Sequence, residues 1–364
     1  MRRFRFKNMN NRLILWFLVV SLVPLVIMTG LTYDQRIKSI RMEAADKLVS
    51  LATQKKIQIS SWSQNITNDI SFLAKSASRE NFDRRGLASL AGLLDDFDES
   101  NPAVMGITLK DSNGGILLST GSNIPDEDEK DTELFQNTIR ERSLYISEPW
   151  KTEKGEIIQT FAVPVPAEGN NTSSEAKGVL SVNVSLNRSI FNLLHNRAGL
   201  GNTGEALLVT AGGKNMNSLL WGGHGALSRN LETDPVIKAI AGESGSTKTT
   251  DYRGEKVLAA FTGIPETGWG LVVKQDLIEV DTPVYSLLHI ILIIFSFSVS
   301  GACALAILIS RSISRPISEI TEVAQKIDKG ELNARNKVDR VDELGILARS
   351  INTCLLYTSP SPRD

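Results

Sequence analysis

Apolar and polar positions follow three different rhythms along this chain. Leu13 to Leu31 is a run of nineteen residues without a charge, and Thr282 to Ser310 is a longer one. At roughly 1.5 Å per helical residue, nineteen residues reach about 28 Å, close to a bilayer's hydrocarbon thickness. Membrane-spanning helices are therefore predicted at 13–33 and 282–310. The first run is longer than a signal-peptide core and has no small-x-small cleavage site, so a retained helix is expected. From Asp34 to Arg85 there is neither Gly nor Pro. Ile37, Ile40, Ala44, Leu48 and Leu51, then Ile59, Trp62, Ile66, Ile70 and Leu73, recur at helical spacing. A single helix over 34–85 follows, with one face on its own domain and another available to a second copy.

Beyond residue 100 the rhythm shortens to that of strands. AVMGITL and GILLST flank Lys-Asp-Ser-Asn-Gly, the signature of a hairpin. EIIQTFAVPVP and GVLSVNVSL follow, with the polar loop AEGNNTSSEAK between them. A second set comprises EALLVT, a short helix near PVIKAIAG, then STKTTDY, EKVLAAFTGI and WGLVVKQD. Arg-Gly and Pro-Glu-Thr-Gly join the last three into an antiparallel meander. Two such mixed units imply an α+β fold of two small domains side by side.

Charge places these segments. Arg2, Arg3, Arg5, Lys7 and Arg12 precede the first apolar run, and Arg311 and Arg315 follow the second. Both ends are thus expected in the cytoplasm and residues 34–281 outside it. The net charge of −1 gives no reason to expect a nucleic-acid partner. The two cysteines, Cys303 and Cys354, lie outside the exported region, which must hold together by its core rather than by disulfides.

SLYISEPW, QTFAVPVP, GVLSVNVSL, LGNTGEALLV and DYRGEKVLAAFTGIPETGWGLVVKQD, in that order, resemble the double Cache family of extracytoplasmic sensors. The resemblance covers residues 34–281. It implies two PAS-like units on a long N-terminal helix (34–85): a membrane-distal unit over 86–197 and a membrane-proximal one over 198–281. After the second apolar run, Ile313, Ile317, Ile320, Ala324 and Ile327 step by fours and threes, a coiled-coil seam. With Pro316, Gly330-Glu331-Leu332 and Asp342-Glu343-Leu344-Gly345, residues 311–353 resemble a HAMP linker. That family implies helix, extended connector and helix, dimerised as a parallel four-helix bundle, with Pro316, Gly330, Glu343 and Gly345 as its marker residues. The organisation expected is a cytoplasmic N-terminus at 1–12, the spans at 13–33 and 282–310, the sensor at 34–281 and the linker at 311–353. CLLYTSPSPRD, residues 354–364, resembles the translation of a transposase sequencing adapter. It is expected to be foreign to a natural chain that continues past Thr353 into an output domain.

Enzyme chemistry finds little support. GLGNTG, 199–204, has dinucleotide-binding spacing but precedes an expected strand, not a helix. PDEDEKDTE, 125–133, lacks the Gly and the terminal Glu of a calcium loop. His195, His224 and His289 are scattered, and the sequon at Asn171 carries no weight in a bacterial periplasm. No catalytic residue, cofactor or metal is expected within 1–353. What remains is binding of a small periplasmic molecule. The resemblance implies a site in the membrane-distal unit, and the candidates are Phe135, Tyr145, Trp150, Thr160 and Asn183. Family members that bind amino acids hold the ligand's carboxylate with Arg and Trp near the position of Leu134-Phe135. They hold its ammonium with an acid just after Trp150 and an Asp at 183. This chain has no such Arg, carries Lys151-Thr152 after Trp150, and has Asn at 183. An ammonium would forgo about 1.5–3 kcal/mol for each missing charged hydrogen bond, which argues against an amino-acid ligand. Lys151 points toward an anionic one.

The expected protein is a homodimeric, multi-pass receptor of a bacterial inner membrane, with its cytoplasmic partner set by the missing output domain. A sensor histidine kinase is the first reading of that output. A methyl-accepting chemotaxis receptor, or less readily a diguanylate cyclase, would share the same front end.

Overall fold

A computed structural model describes residues 9–121, 130–167 and 176–358. The arginines before Met9, most of the acidic run at 125–133, the sequon at Asn171 and the tail beyond Thr358 lie outside them. The chain divides into two compact units: Ser39–Thr282, and Met1–Lys38 together with Pro283–Asp364.

In the Ser39–Thr282 unit, helix α1 (Met9–Arg79) is the spine. Its apolar stripe serves two sheets in succession. Leu48, Ala52 and Ile59 join one core, and Ile70, Leu73, Ala74 and Ala77 join another. Trp62 stands between them, edge-on to Phe161 at 6.0 Å and stacked on Trp269 at 6.4 Å. The helix expected to run to 85 instead ends at Arg79, and α2 (Arg84–Ser100) begins a new one. The cause is local. Asp83 Oδ1 accepts hydrogen bonds from the backbone N–H of Arg85 and of Gly86, an N-cap that starts a helix in a new direction. A Cβ at position 86 would lie 2.0 Å from the Asn81 carbonyl oxygen, so only Gly fits this reversal.

The first sheet contains β1 (Val104–Asp111), β2 (Ile116–Gly121), β3 (Tyr145–Ile146), β4 (Trp150–Lys151), β5 (Ile157–Pro166) and β6 (Ala176–Ser185). Its order is β2-β1-β6-β5-β3, with β4 also paired to β5, all antiparallel. Alternation along the strands sends Ile107, Leu109, Phe161, Val163, Leu180 and Val182 to the core beneath α1 and α2. Residues of opposite parity, Ala162 and Val179, meet Leu134 of α3 (Lys130–Glu141) on the other face.

A short helix, α4 (Phe191–His195), leads into the second sheet. This sheet contains β7 (Glu205–Val209), β8 (Gly245–Thr250), β9 (Lys256–Ile264) and β10 (Trp269–Asp276), in the order β7-β10-β9-β8. The expected meander is its last three strands. Helix α5 (Asp234–Ile240) covers the face away from α1, where Val236 and Ala239 pack on Val257, Ala259 and Val272. Residues 199–204, with dinucleotide-binding spacing, form a turn into β7. Buried Lys55 of α1 donates to the carbonyls of Leu193 and Asn196, tying the segment between the sheets to the spine.

The other unit contains most of α6 (Leu277–Ile309), a π-helical turn at Ser310–Ser314, α7 (Arg315–Asp328) and α8 (Glu343–Thr358). Among the described residues one helical run, Leu277–Asp328, is long and apolar enough to cross a membrane. The earlier run at 13–33 is part of α1, where Trp16, Val20, Ile27 and Leu31 are exposed. Ile313 falls in the π turn rather than in an α-helical seam, just before Pro316, whose missing N–H removes a helical hydrogen bond. Helix α8 continues through the first residues of the stretch expected to be foreign, and Leu355 is buried there.

Candidate functional site

The outer face of the first sheet is polar where the inner face is not. Thr160 of β5 sits opposite Asn183 of β6, which in turn sits opposite Gly106 of β1. Thr160 Oγ1 donates to Asn183 Oδ1 at 2.7 Å, and the Trp150 indole N–H donates to Thr160 Oγ1 at 3.3 Å. One residue pair along, Ser181 lies between Ala162 and Thr108, and its hydroxyl donates to the Thr108 carbonyl at 3.3 Å. Tyr145 pairs with Ala162, and half-buried Tyr145 and Phe135 both pack on the Leu134–Ala162–Val179 cluster. All five sequence-selected residues thus belong to one face. Trp150, Thr160 and Asn183 form a hydrogen-bonded chain, while Phe135 and Tyr145 form an adjoining apolar wall.

This face can hold a small molecule by neutral hydrogen bonds and aromatic contact. Gly106 leaves the position beside Asn183 without a side chain. The Asn183 amide nitrogen bonds no other described residue. Thr108 and Gly106 escaped the sequence reading, although alternation in GITLK was the signal that puts them on this face.

The second sheet carries charges that the sequence reading also missed. Lys274 Nζ lies 2.5 Å from Asp251 Oδ2 and 3.1 Å from Glu205 Oε2. Arg253 Nε donates to Asp251 Oδ2 at 2.7 Å, and the Tyr252 hydroxyl donates to Glu205 Oε2 at 2.9 Å. Burial alone would raise the Asp251 carboxyl, but the hydrogen bonds from Lys274 and Arg253 outweigh it and hold it below the usual range. Burial, reinforced by Glu205, pushes the Tyr252 phenol upward, so it stays a donor. The visible clue was a lysine interrupting the apolar run in WGLVVKQD.

Two contacts hold the start of α6. Glu279 accepts the backbone N–H of Asn202 at 2.7 Å and of Thr203 at 2.8 Å. Arg41 of α1 grips Asp281 with Nε at 2.8 Å and Nη2 at 2.6 Å.

The four HAMP-marker residues occupy the α7–connector–α8 segment. Pro316 lies in the first turn of α7. Gly330 ends that helix with φ +89°, where its N–H reaches Ile327 O at 2.9 Å and the Glu331 N–H reaches Lys326 O at 3.0 Å. Glu343 opens α8, whose cap is Asp342 Oδ1, accepting from the Gly345 N–H at 3.2 Å. Hydrogen bonds from Arg340 hold the Asp342 carboxyl below its usual range. A Cβ on Gly345 would fall 1.9 Å from the Arg340 carbonyl oxygen, so the connector closes on α8 only at a glycine.

A pair of antiparallel sheet units on one helical spine, continued by helix, connector and helix, is the build of a receptor's sensing module and its relay. Residues 36–284 match the Cache domain model dCache_1, and residues 308–353 match the HAMP domain model. The chain belongs to the Cache family, in its double-Cache–HAMP receptor form. The methyl-accepting chemotaxis protein McpA of Bacillus subtilis (strain 168) is 21% identical over 355 residues, covering 95% of this chain and 50% of that protein. TlpA of the same strain is 22% identical, covering 96% and 51% respectively. The chain thus spans about half the length of the curated relatives it matches. The sensory domain of the Campylobacter jejuni chemoreceptor Tlp3 shares its fold with a TM-score of 0.51 at 13% identity, covering 67% of this chain and 98% of that one. The ligand-binding domain of Mlp24 with asparagine has a TM-score of 0.50 at 17% identity, covering 69% and 98%.

Proposed function

We propose that this chain is the sensory front end of a bacterial transmembrane receptor, taking a small periplasmic molecule on the outer face of its first sheet. The observation that carries the reading is the Trp150–Thr160–Asn183 hydrogen-bonded chain, with Gly106 paired beside Asn183. Phe135 and Tyr145 supply the apolar side of the site. The ligand is a small polar molecule, neutral or anionic. Among the described residues of this face, Thr108, Ser181, Thr160 and Asn183 offer hydrogen bonds, and none of these is a carboxylate that would pair an ammonium. Asparagine is bound by Mlp24 and isoleucine by Tlp3. The residues at 151, 152 and 183 here argue for a different class. Two spans, at 13–33 and 282–310, put both termini in the cytoplasm, and two copies pair through α1 and the HAMP helices.

The test is a titration of full-length protein, following Trp150 fluorescence, with panels of organic acids and of amines. Quenching or enhancement by an acid or neutral solute, lost in Asn183→Ala, is expected. Silence toward both panels would sink the assignment.

For the output, a histidine kinase rests on the analogy that HAMP linkers feed many such enzymes. A chemotaxis receptor is supported by the curated relatives, which carry that name over nearly the whole of this chain. Sequencing the source locus past the codon for Thr353 separates them. A phosphoacceptor His with Gly-rich ATP-lid motifs marks the kinase, and a long helical hairpin with Glu/Gln methylation positions marks the chemoreceptor.

A further inference from the structure

The two sheets of the sensor place a polar side chain at the same point of the same strand. In the first sheet Asn183 stands two residues before the end of β6, flanked by Gly106 and Thr160. In the second, Lys274 stands two residues before the end of β10, flanked by Glu205 and Ala259. Both residues face away from α1. At Asn183 the flanking residue is a glycine, with no side chain beside the amide. At Lys274 the flanking residue is Glu205, whose carboxylate pairs the lysine.

The surroundings of that lysine are those of a bound ammonium ion. Lys274, Glu205 and Asp251 are exposed by only 2%, 4% and 8%. Two carboxylates lie within salt-bridge distance of Nζ, and the Tyr252 ring lies beneath it with its centroid 3.9 Å away. Anions on one side and an aromatic face on the other form a general cage for a compact cation. The cage does not depend on Lys274 for its shape. Glu205 is held by the Tyr252 hydroxyl and by the Leu220 N–H at 2.5 Å, and Asp251 by the Arg253 side chain and the N–H groups of Arg253 and Glu255. Arg253 also bonds Asp276, the last residue of β10. Between this cluster and α5 is a cavity of ≈ 10 Å³ lined by Pro235, Val236, Thr249 and Val272, room for about one water.

We infer that the second sheet unit contains a primary-ammonium site occupied in cis by Lys274, so that this unit is permanently liganded by its own chain. A free small molecule therefore finds no vacancy there. The occupant also ties β7, the β8–β9 turn and β10 into one block, ending at Asp276 directly before α6. This inference does not depend on the ligand reading of the first sheet.

The test uses the full chain in lipid nanodiscs and follows thermal unfolding with Lys274→Ala. Loss of the ammonium leaves buried Glu205 without a cation and Asp251 with Arg253 alone, and the Tm should fall by about 6–20 °C. The truncation removes three carbons and the ammonium, so n-propylammonium chloride is the matching probe. At tenfold its Kd it should raise the variant's Tm by about 3–6 °C, while propanol and tetramethylammonium chloride do not. Adding Glu205→Gln to the variant should weaken this rescue, and the unsubstituted chain should show none. A folded Lys274→Ala protein indifferent to n-propylammonium, or an equal response in the unsubstituted chain, would overturn the inference. If Lys274→Ala accumulates unfolded, recovery of folded protein on refolding with n-propylammonium, and not with sodium chloride, is the expected result. Failure with both would count against the site.

Discussion

The bidentate pair between Arg41 and Asp281 joins residues 240 positions apart, at the point where α1 and α6 both leave the sheets. The side chains are 28% and 12% exposed. An exposed pair is worth about 0–1 kcal/mol and breaking a fully buried one costs about 3–5 kcal/mol, so this partly covered pair falls between them. Two charge-assisted hydrogen bonds in good geometry place the loss on Asp281→Asn at about 2 kcal/mol. For a unit the size of Ser39–Thr282 that lowers Tm by about 4–8 °C. The assay is thermal unfolding of the full chain in nanodiscs for Arg41→Gln, Asp281→Asn and the double variant. The second substitution should add little to the first, giving a coupling of about 1.5 kcal/mol. Singles within 1 °C of the unsubstituted chain, or an additive double variant, would refute the claim that this pair holds the start of α6.

Three further outcomes follow from the same geometry. Thr160→Val breaks the Trp150–Thr160–Asn183 chain and should cost about 1 kcal/mol, or 2–4 °C in Tm, while weakening any ligand that quenches Trp150. Because Asp251 has its carboxyl lowered in the fold, its stabilisation is present above the unfolded value of about 3.9 and is lost as pH falls through the lower folded value. An acid titration of stability should therefore steepen below about pH 4 in the unsubstituted chain and flatten in Asp251→Asn. Gly345→Ala drives a Cβ into the Arg340 carbonyl and should displace the start of α8. After Cys303 and Cys354 are changed to Ser, disulfide trapping through cysteines at Ile317 and Ile320 should fall in that variant relative to the Gly345 chain.

Much of this architecture is written locally, and some of it is not. Strands β5, β6, β9 and β10 are legible because one of their faces is continuously apolar and turn residues punctuate them. The α1 stripe is legible for the same reason, down to Trp62, whose two aromatic partners sit on different sheets. The break at 80–83 was not, because Asn-Phe-Asp carries no Gly or Pro and the stop is made by the Asp83 cap. The aromatics of the candidate site stand out in sequence, but the Gly106 and Thr108 side of the face emerges only from the β1–β6 register. Glu205, Asp251 and Lys274 are far apart along the chain, and each alone reads as a surface charge. Only sheet pairing and the β8–β9 turn bring them within 3.1 Å of one ammonium.

The most direct test of ligand capture on the first sheet is hydrogen–deuterium exchange of the full chain, with and without a molecule found in the fluorescence titration. Slowed exchange at 145–160 and 178–185, with 205–276 unchanged apart from the segment leading into α6, is the predicted result. Protection centred on 205–276, with the first sheet unaffected, would contradict it.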